Sequence, residues 1–302
     1  MSCSSVSSVY RAGTVAIVGR PNVGKSTLLN HLIGQKVSIT SRKAQTTRFR
    51  IRGIHTEPDA QFVFVDTPGY QTRYGNALNR AMNRSVLAVL DEVDAILFVV
   101  AAPQFDAADE QVLRQLPTSR PVLLIVNKID RTKDKSELLP YLERLYKMHP
   151  FVAAIPVSAQ RGTQLNLIFD ALRPLLPESA PLYGEDEITD RDERFLAAEF
   201  VREKLFRALG EEVPYAATVV IDKFVVENAL RHIYATIVVD NANQKAIVIG
   251  KGGQKLKAVA TEARLEMERL FGGKVFLEVW VKVQGGWADD ARTVRTLGYD
   301  DR

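Results

Sequence analysis

No disulfide can close within this chain, because its 302 residues contain a single cysteine, Cys3, in a serine-rich start. That absence excludes the stapled extracellular scaffolds and makes a reducing compartment the natural setting. Histidine is scarce too. His31, His55, His149 and His232 lie far apart without ligand spacing, so no transition-metal centre is expected. No uninterrupted apolar run approaches the roughly 20 residues that a membrane-spanning helix needs. The N-terminal residues also lack the basic-then-apolar build of a secretory signal. Neither sign of charge dominates: 40 Lys and Arg face 36 Asp and Glu, a net +4, which suits a polyanionic partner without demanding one. The acidic pairs Glu211-Glu212 and Asp289-Asp290 read as solvated turns rather than paired hydrolase acids. What is present is ordinary globular material, 46% apolar and 25% charged, in a length that suits two domains.

The most informative stretch is GRPNVGKS at residues 19–26. It fits G-x-x-x-x-G-K-[ST], and it sits between an apolar run, 15–18, and a helical one beginning at Ser26. Gly19 and Gly24 let the backbone bend so that successive N–H groups, from Arg20, Asn22 and Val23 on either side of Pro21, point at phosphate oxygens. Lys25 adds a charge on the β- and γ-phosphates, and Ser26 offers a hydroxyl to Mg²⁺. Thr27 continues the helix, whose N-terminal dipole faces the same anion.

Three more segments narrow the ligand. The run QFVFVDTPG at 61–69 is a buried strand ending in Asp66, Thr67, Pro68 and Gly69. Asp66 is placed to hold Mg²⁺, through water, and Gly69 to present a backbone N–H to a γ-phosphate. A second apolar strand, VLLIVNKID at 122–130, opens into Asn127, Lys128 and Asp130. Asp130 can accept from N1–H and the exocyclic amine of guanine, a pattern adenine does not offer. Asn127 would brace the loop and Lys128 lay its stem across the base. The strand ending at residue 157 delivers Ser158 and Ala159 beside that base. Elsewhere, 85–100 reads as a helix, a polar turn and a buried strand.

Composition changes near residue 173. Pro174, Pro177 and Pro181, followed by YGEDEITDRDER, read as a linker over 174–191 between a domain at 13–173 and another at 192–302, with residues 1–12 a disordered tail. DERFLAAEFVREKLFRAL at 192–209 has the spacing of an amphipathic helix. Two strand-like runs follow at 218–226 and 232–240. Then comes the loop Gly250-Lys251-Gly252-Gly253 between two helical stretches, with Leu256, Val259, Ala260, Ala263, Met267, Leu270 and Phe271 on one face of the second. A strand, VFLEVWVKV, closes the unit. At least two of Ile247, Val248 and Ile249 are expected in the core. Between residues 215 and 287 there are 10 Lys and Arg against 7 Asp and Glu, and Lys245, Lys251, Lys255 and Lys257 crowd the loop.

A helix–GXXG–helix–strand unit resembles a KH domain, here in the type II strand order, which clamps four nucleotides of single-stranded RNA. On that resemblance Ile249, Gly250, Lys251, Gly252, Gly253, Lys255 and Lys257 form the RNA site. The motifs GKS, DTPG, NKID and SA, in that order, resemble the translation-factor-related bacterial GTPases. With QTTR and the C-terminal KH unit, the chain from about Gly13 onward is similar to those that act in small ribosomal subunit assembly. The implied fold is α/β: a P-loop GTPase domain with a mostly parallel sheet and helices on both faces, then an α+β type II KH domain.

The resemblance further implies a first switch at 38–54, with Thr47 as second Mg²⁺ ligand in the GTP state and Thr46 the adjacent candidate. Lys25, Thr47, Gly69 and Asn22 form the implied catalytic set. In place of the glutamine that orients water in Ras-like enzymes stands Tyr70, where a leucine is usual in these relatives. Relatives with an apolar residue there can use a P-loop asparagine, here Asn22, to help hold K⁺. Hydrolysis is then expected to be slow, on the order of 10⁻⁴–10⁻² per second. The implied partners are the single-stranded 3′ end of 16S ribosomal RNA and the 30S subunit; a monomer is expected, since nothing in the sequence demands more. The implied location is the cytoplasm with peripheral contact to the inner membrane. Two other readings stay open on residues alone: an RNA-binding adaptor holding guanine nucleotide as a structural ligand, and a P-loop kinase or ATPase acting on a small molecule.

Overall fold

The computed structural model describes residues 9–41, 43, 45–70, 76–132, 134–210, 215 and 217–299. Cys3, the Glu211-Glu212 pair and residues 71–75, after the DTPG segment, lie outside them.

Near-continuous apolar runs make the first half. Strands β1 (Arg11–Val18), β2 (Ile51–Glu57), β3 (Ala60–Asp66), β4 (Ala95–Ala101), β5 (Val122–Asn127) and β6 (Ala153–Pro156) form one sheet in the order β2-β3-β1-β4-β5-β6. Every residue of β3, β4 and β5 is buried, as expected of strands covered on both faces. All neighbours are parallel except β2 and β3. Helices α1 (Lys25–Ile33), α2 (Ala77–Glu92), α3 (Ala107–Leu113), α4 (Leu138–Tyr146) and α5 (Asn166–Leu172) flank the sheet. One apolar cluster joins Leu28 and Leu29 of α1 to Ile168 and Leu172 of α5. The other, on the opposite face, joins Val86 and Leu90 of α2 to Tyr141 and Leu145 of α4.

The second half is α6 (Glu193–Ala208), the hairpin β7 (Thr218–Glu227) and β8 (Leu230–Val239), α7 (Ala242–Ile249), α8 (Gln254–Phe271) and β9 (Val275–Val283). Its sheet runs β7-β8-β9, antiparallel then parallel. Val259, Ala263 and Met267 of α8 are buried on it with Ile233, Ala235 and Ile237 of β8. A last short helix, α9 (Ala291–Thr296), follows. Val294, Trp287 and Tyr299 around it pack with Ala77, Leu78, Ala81 and Met82 of α2, so the C-terminal stretch bridges both halves.

Three readings change. The segment 174–191 is strapped to the first half: Ile54 N–H donates to the Ile188 carbonyl at 2.9 Å, and the buried Gln61 side chain accepts from the N–H groups of Leu182 and Tyr183 at 2.7 and 2.9 Å. Helix α6 is not amphipathic in its setting. Glu199, Arg202, Glu203 and Lys204 are buried along with Leu196, Phe200, Val201 and Leu205, because α6 packs on α8 and β7 while residues 36–43 bond to it from the other side. Of the three residues at 247–249 only Val248 is core; Ile247 is exposed and Ile249 half-buried. The eight-residue α7 ends there and presents just one position to the interior.

Candidate nucleotide site and its junction with the second domain

Every nucleotide motif follows the carboxyl end of a strand: residues 19–24 after β1, 67–69 after β3, 128–130 after β5 and 158–159 after β6. Open α/β sheets bind ligands at that edge. Gly24 has φ 103°, and a Cβ there would lie 2.4 Å from Nδ2 of Asn127, so this close approach is open only to glycine. A Cβ on Gly69 would likewise meet Pro21 at 2.8 Å, which packs the DTPG turn against the first loop.

Lys25, 6% exposed, donates from Nζ to the carbonyls of Gly19 and Arg20 at 2.9 and 3.1 Å. Burial lowers its pKa to about 8, against the opposing pull of the Asp66 carboxylate. Ser26 Oγ donates to Asp66 Oδ2 at 2.6 Å and lies 2.7 Å from Thr47 Oγ1. Thr47 Oγ1 is itself 3.4 Å from the same carboxylate oxygen. Sequence thus placed three oxygen donors, and the fold brings all three together. Thr46 is directed elsewhere, its Oγ1 to Ser41 and to the Lys43 carbonyl. Ser38 is the member that sequence reading missed: its Oγ donates to Asp66 at 2.9 Å. Its only signal was a place at the start of the switch segment.

Asp66 is completely buried and its Oδ1 lacks a hydrogen-bond partner. Burial raises its pKa, opposed by Lys25 and the three hydroxyls. A buried carboxylate with an orphaned oxygen beside two hydroxyls is a set of hard oxygen donors, and Mg²⁺ fits it. Among the described residues no group of three His, Cys, Asp or Glu is placed to hold a metal.

The loop 127–130 is tied to the loop 19–24. Asn127 donates from Nδ2 to the Val23 carbonyl at 2.8 Å, while its Oδ1 accepts from the N–H groups of Lys128 and Ala159 at 2.7 and 2.9 Å. Ser158 Oγ donates to Asp130 Oδ1 at 2.6 Å, which orients the carboxylate. Lys128 reaches back to the Asn22 carbonyl. The Arg20 side chain turns away to Asp109 of α3 at 2.9 Å, and Thr67 Oγ1 donates to the Ile17 carbonyl at 2.9 Å. Pro68 is buried and Thr27 lines the cleft. Tyr70 packs half-buried against the cluster containing Val18, Val65 and Phe98.

The switch segment is also the seam with the second half. Arg48, next to Thr47, is 1% exposed and donates to the carbonyls of Ala217 and Tyr215 at 2.9 and 3.0 Å. Its guanidinium lies 5.4, 5.8 and 5.9 Å from the rings of Phe206, Trp287 and Tyr299, a cation–π enclosure. Phe49 stacks on Tyr299 at 4.5 Å. Lys43 donates to the carbonyl of Phe206 in the last turn of α6 and to those of Leu209 and Gly210 just after it, near the negative end of the helix dipole. Glu203, fully buried, accepts from Lys36 at 2.6 Å, Lys204 at 3.0 Å, Arg207 at 2.9 Å and Thr40 N–H at 2.8 Å.

In the second half, Gly252 (φ 58°) and Gly253 (φ 75°) turn the chain between α7 and α8, and a Cβ at either would meet nothing within 4 Å. The loop backbone thus faces open space, with Ile249 half-buried beside it. Lys251 sits exposed within the loop, and α8 carries Lys255, half-buried, and Lys257, exposed, in its first turn.

Comparison with known proteins adds to this geometry. Residues 14–128 match a family described as 50S ribosome-binding GTPase, and residues 212–288 match KH domain. The chain is 58% identical over 291 residues to GTPase Era of Nitrosomonas eutropha, covering 96% of this chain and 98% of the relative. It is 51% identical over 298 residues to GTPase Era of Xanthomonas oryzae, covering 98% and 100%. Two crystal structures align at TM-score 0.92 and 41% identity, covering 96% of this chain and 99% of theirs. One is a variant of Aquifex aeolicus Era bound to GDP and AlF4⁻. The other is Era with MgGDPNP and nucleotides 1506-1542 of 16S ribosomal RNA.

Proposed function

The chain belongs to the family of GTPase Era, and on that premise we propose that it is a slow GTPase whose nucleotide state governs its binding of the single-stranded 3′ end of 16S ribosomal RNA during assembly of the 30S subunit. One observation carries the coupling: Thr47 reaches the Asp66–Ser26 cluster while Arg48, its neighbour, is buried in the second half. A switch needs one element biased by both ligands, and these two residues make residues 38–54 that element.

Ser26, Thr47 and Asp66 would hold Mg²⁺, which supplies positive charge to the β- and γ-phosphate oxygens. Lys25 and the backbone N–H groups of the loop 19–24, other than Pro21, bind and orient the phosphates, and Gly69 meets the γ-phosphate. Asp130, held by Ser158, reads guanine, and Asn127 keeps that loop in register with the phosphate loop. Tyr70, half-buried against the apolar cluster, stands where a water-orienting glutamine would be, in keeping with slow turnover. Asn22 lines the phosphate pocket, and K⁺ beside it would add the charge an arginine finger gives elsewhere. Hydrolysis is therefore expected to run faster in KCl than in NaCl; equal rates would remove Asn22 from that role.

Gly250 to Gly253, with Ile249, Lys255 and Lys257, are the proposed RNA-contacting residues. Peripheral attachment to the inner membrane belongs to the same reading and rests on family resemblance. Among the described residues no helix is long and apolar enough to cross a membrane. Multiple-turnover phosphate release from GTP by the purified chain tests the enzymatic reading. Stoichiometric binding without turnover would make it an adaptor.

A further inference from the structure

The cleft beside the base-recognition loop, about 970 Å³, is not walled by the first half alone. Gly24, Thr27, Thr40 and Asp130 of the first half line it together with Phe206 and Arg207 of α6. Arg207 therefore comes from the RNA-binding half, and its side chain is 46% exposed. Its donors are only partly used. Nε and Nη2 donate to the Thr40 carbonyl at 3.2 and 3.0 Å, and Nη2 also reaches Thr40 Oγ1 at 3.1 Å and Glu203 Oε1 at 2.9 Å. A guanidinium carries five N–H donors, and Nη1 makes none of these bonds. Glu203 and Thr40 hold the fork in place from behind, so little rotamer freedom remains to be lost on binding.

We propose that Arg207 is a nucleotide-positioning residue contributed by the second domain, donating from Nη1 to the ribose and α-phosphate edge of the bound guanine nucleotide. The phosphate loop and Thr27 mark the phosphate end of the cleft and Asp130 the base end, and Arg207 lines the same cleft. The ligand chemistry fits: an always charged guanidinium, held through Nε and Nη2 by Thr40 and Glu203, keeps Nη1 for the anion that this cleft is built to take. Because the ribose and α-phosphate are common to GDP and GTP, occupancy by either nucleotide would fasten α6 to the cleft. The γ-phosphate would then act separately through Thr47 and Arg48. This deepens the reading above and rests on it.

The test is calorimetric binding of unmodified GDP and GDPNP, with Mg²⁺, to the full chain and to its Arg207→Ala and Arg207→Lys variants. Arg207→Ala is expected to weaken both nucleotides by a similar factor, about tenfold. Arg207→Lys, which keeps the charge but loses the fork, should weaken both by a smaller factor. Loss confined to GDPNP would overturn the proposal, since Arg207 would then act only by holding the Thr40 switch. Wild-type affinity for both nucleotides in both variants would overturn it as well. Failure of the unmodified chain to bind either nucleotide would instead refute the underlying GTPase reading.

Discussion

Glu203→Gln removes one negative charge from the centre of the domain junction and little else. In the native chain the carboxylate is fully buried and faces Lys36 at 2.6 Å, Lys204 at 3.0 Å and Arg207 at 2.9 Å. Breaking a buried pair typically costs 3–5 kcal/mol. Two features reduce that here. Glu266 remains 3.3 Å from Lys36 and 3.0 Å from Lys204, and Arg207 is half exposed and partly screened. The glutamine oxygen also still accepts from Thr40 N–H. The expected loss is about 2–3 kcal/mol, read by urea titration of tryptophan emission, since Trp287 is 1% exposed in this junction.

The pH dependence gives a second reading of the same charge. Burial pushes the Glu203 pKa up, but Lys36, the Thr40 N–H and Lys204 outweigh it, and the net direction is below the ordinary 4.5. A depressed carboxylate contributes stability above its unfolded pKa and loses it as pH falls through the folded one. Part of the wild-type stability should therefore vanish below about pH 4.5, and that part should be missing in Glu203→Gln. The variant should also show RNA affinity that depends less on nucleotide state. An unchanged urea midpoint and acid profile would refute the reasoning that Glu203 holds the junction.

Other perturbations address single parts of the site. Lys25 in the free protein has its pKa lowered to about 8, whereas bound phosphate favours its charged form. Affinity for GDP should fall as pH rises above 8, by up to about tenfold per unit, and a flat profile to pH 9.5 would contradict this. Asp130→Asn should reduce GTP affinity by at least about 100-fold, since two charge-assisted bonds are lost. It should shift preference to xanthosine triphosphate, measured by competition; retained guanine preference would displace Asp130 from its role.

The parts of this site legible in sequence were those carried by short contiguous segments. A strand, a tight turn and a helix fix the geometry of residues 19–26 almost locally, so Lys25 and Ser26 could be placed without knowing the fold. Asp66, Asn127 and Asp130 were legible for the same reason, each at the end of an apolar strand. What stayed hidden depends on partners far along the chain. Lys36 and Glu203 are 167 residues apart, and nothing around Glu203 distinguishes it from a solvated helix charge. Periodicity assumes that one helix face meets water. That assumption fails for α6, which is covered on both sides, and Ile247 fails it the other way on the short α7. The prolines and charges of the linker say that no helix continues there, not what it lies against. Gln61, invisible as a functional signal, pins it together with the Ile54–Ile188 backbone bond.

The central claim is that nucleotide state reaches the RNA site through the switch segment and α6. The most direct measurement is binding of a labelled oligonucleotide matching the 3′ end of 16S ribosomal RNA to the apo, GDP and GDPNP forms at fixed salt, with a Gly252→Asp, Gly253→Asp control. Tighter binding in the GDPNP form, abolished in the control, is the predicted result. Equal affinity in all three states would leave a GTPase and an RNA-binding domain joined without communication, contrary to this account.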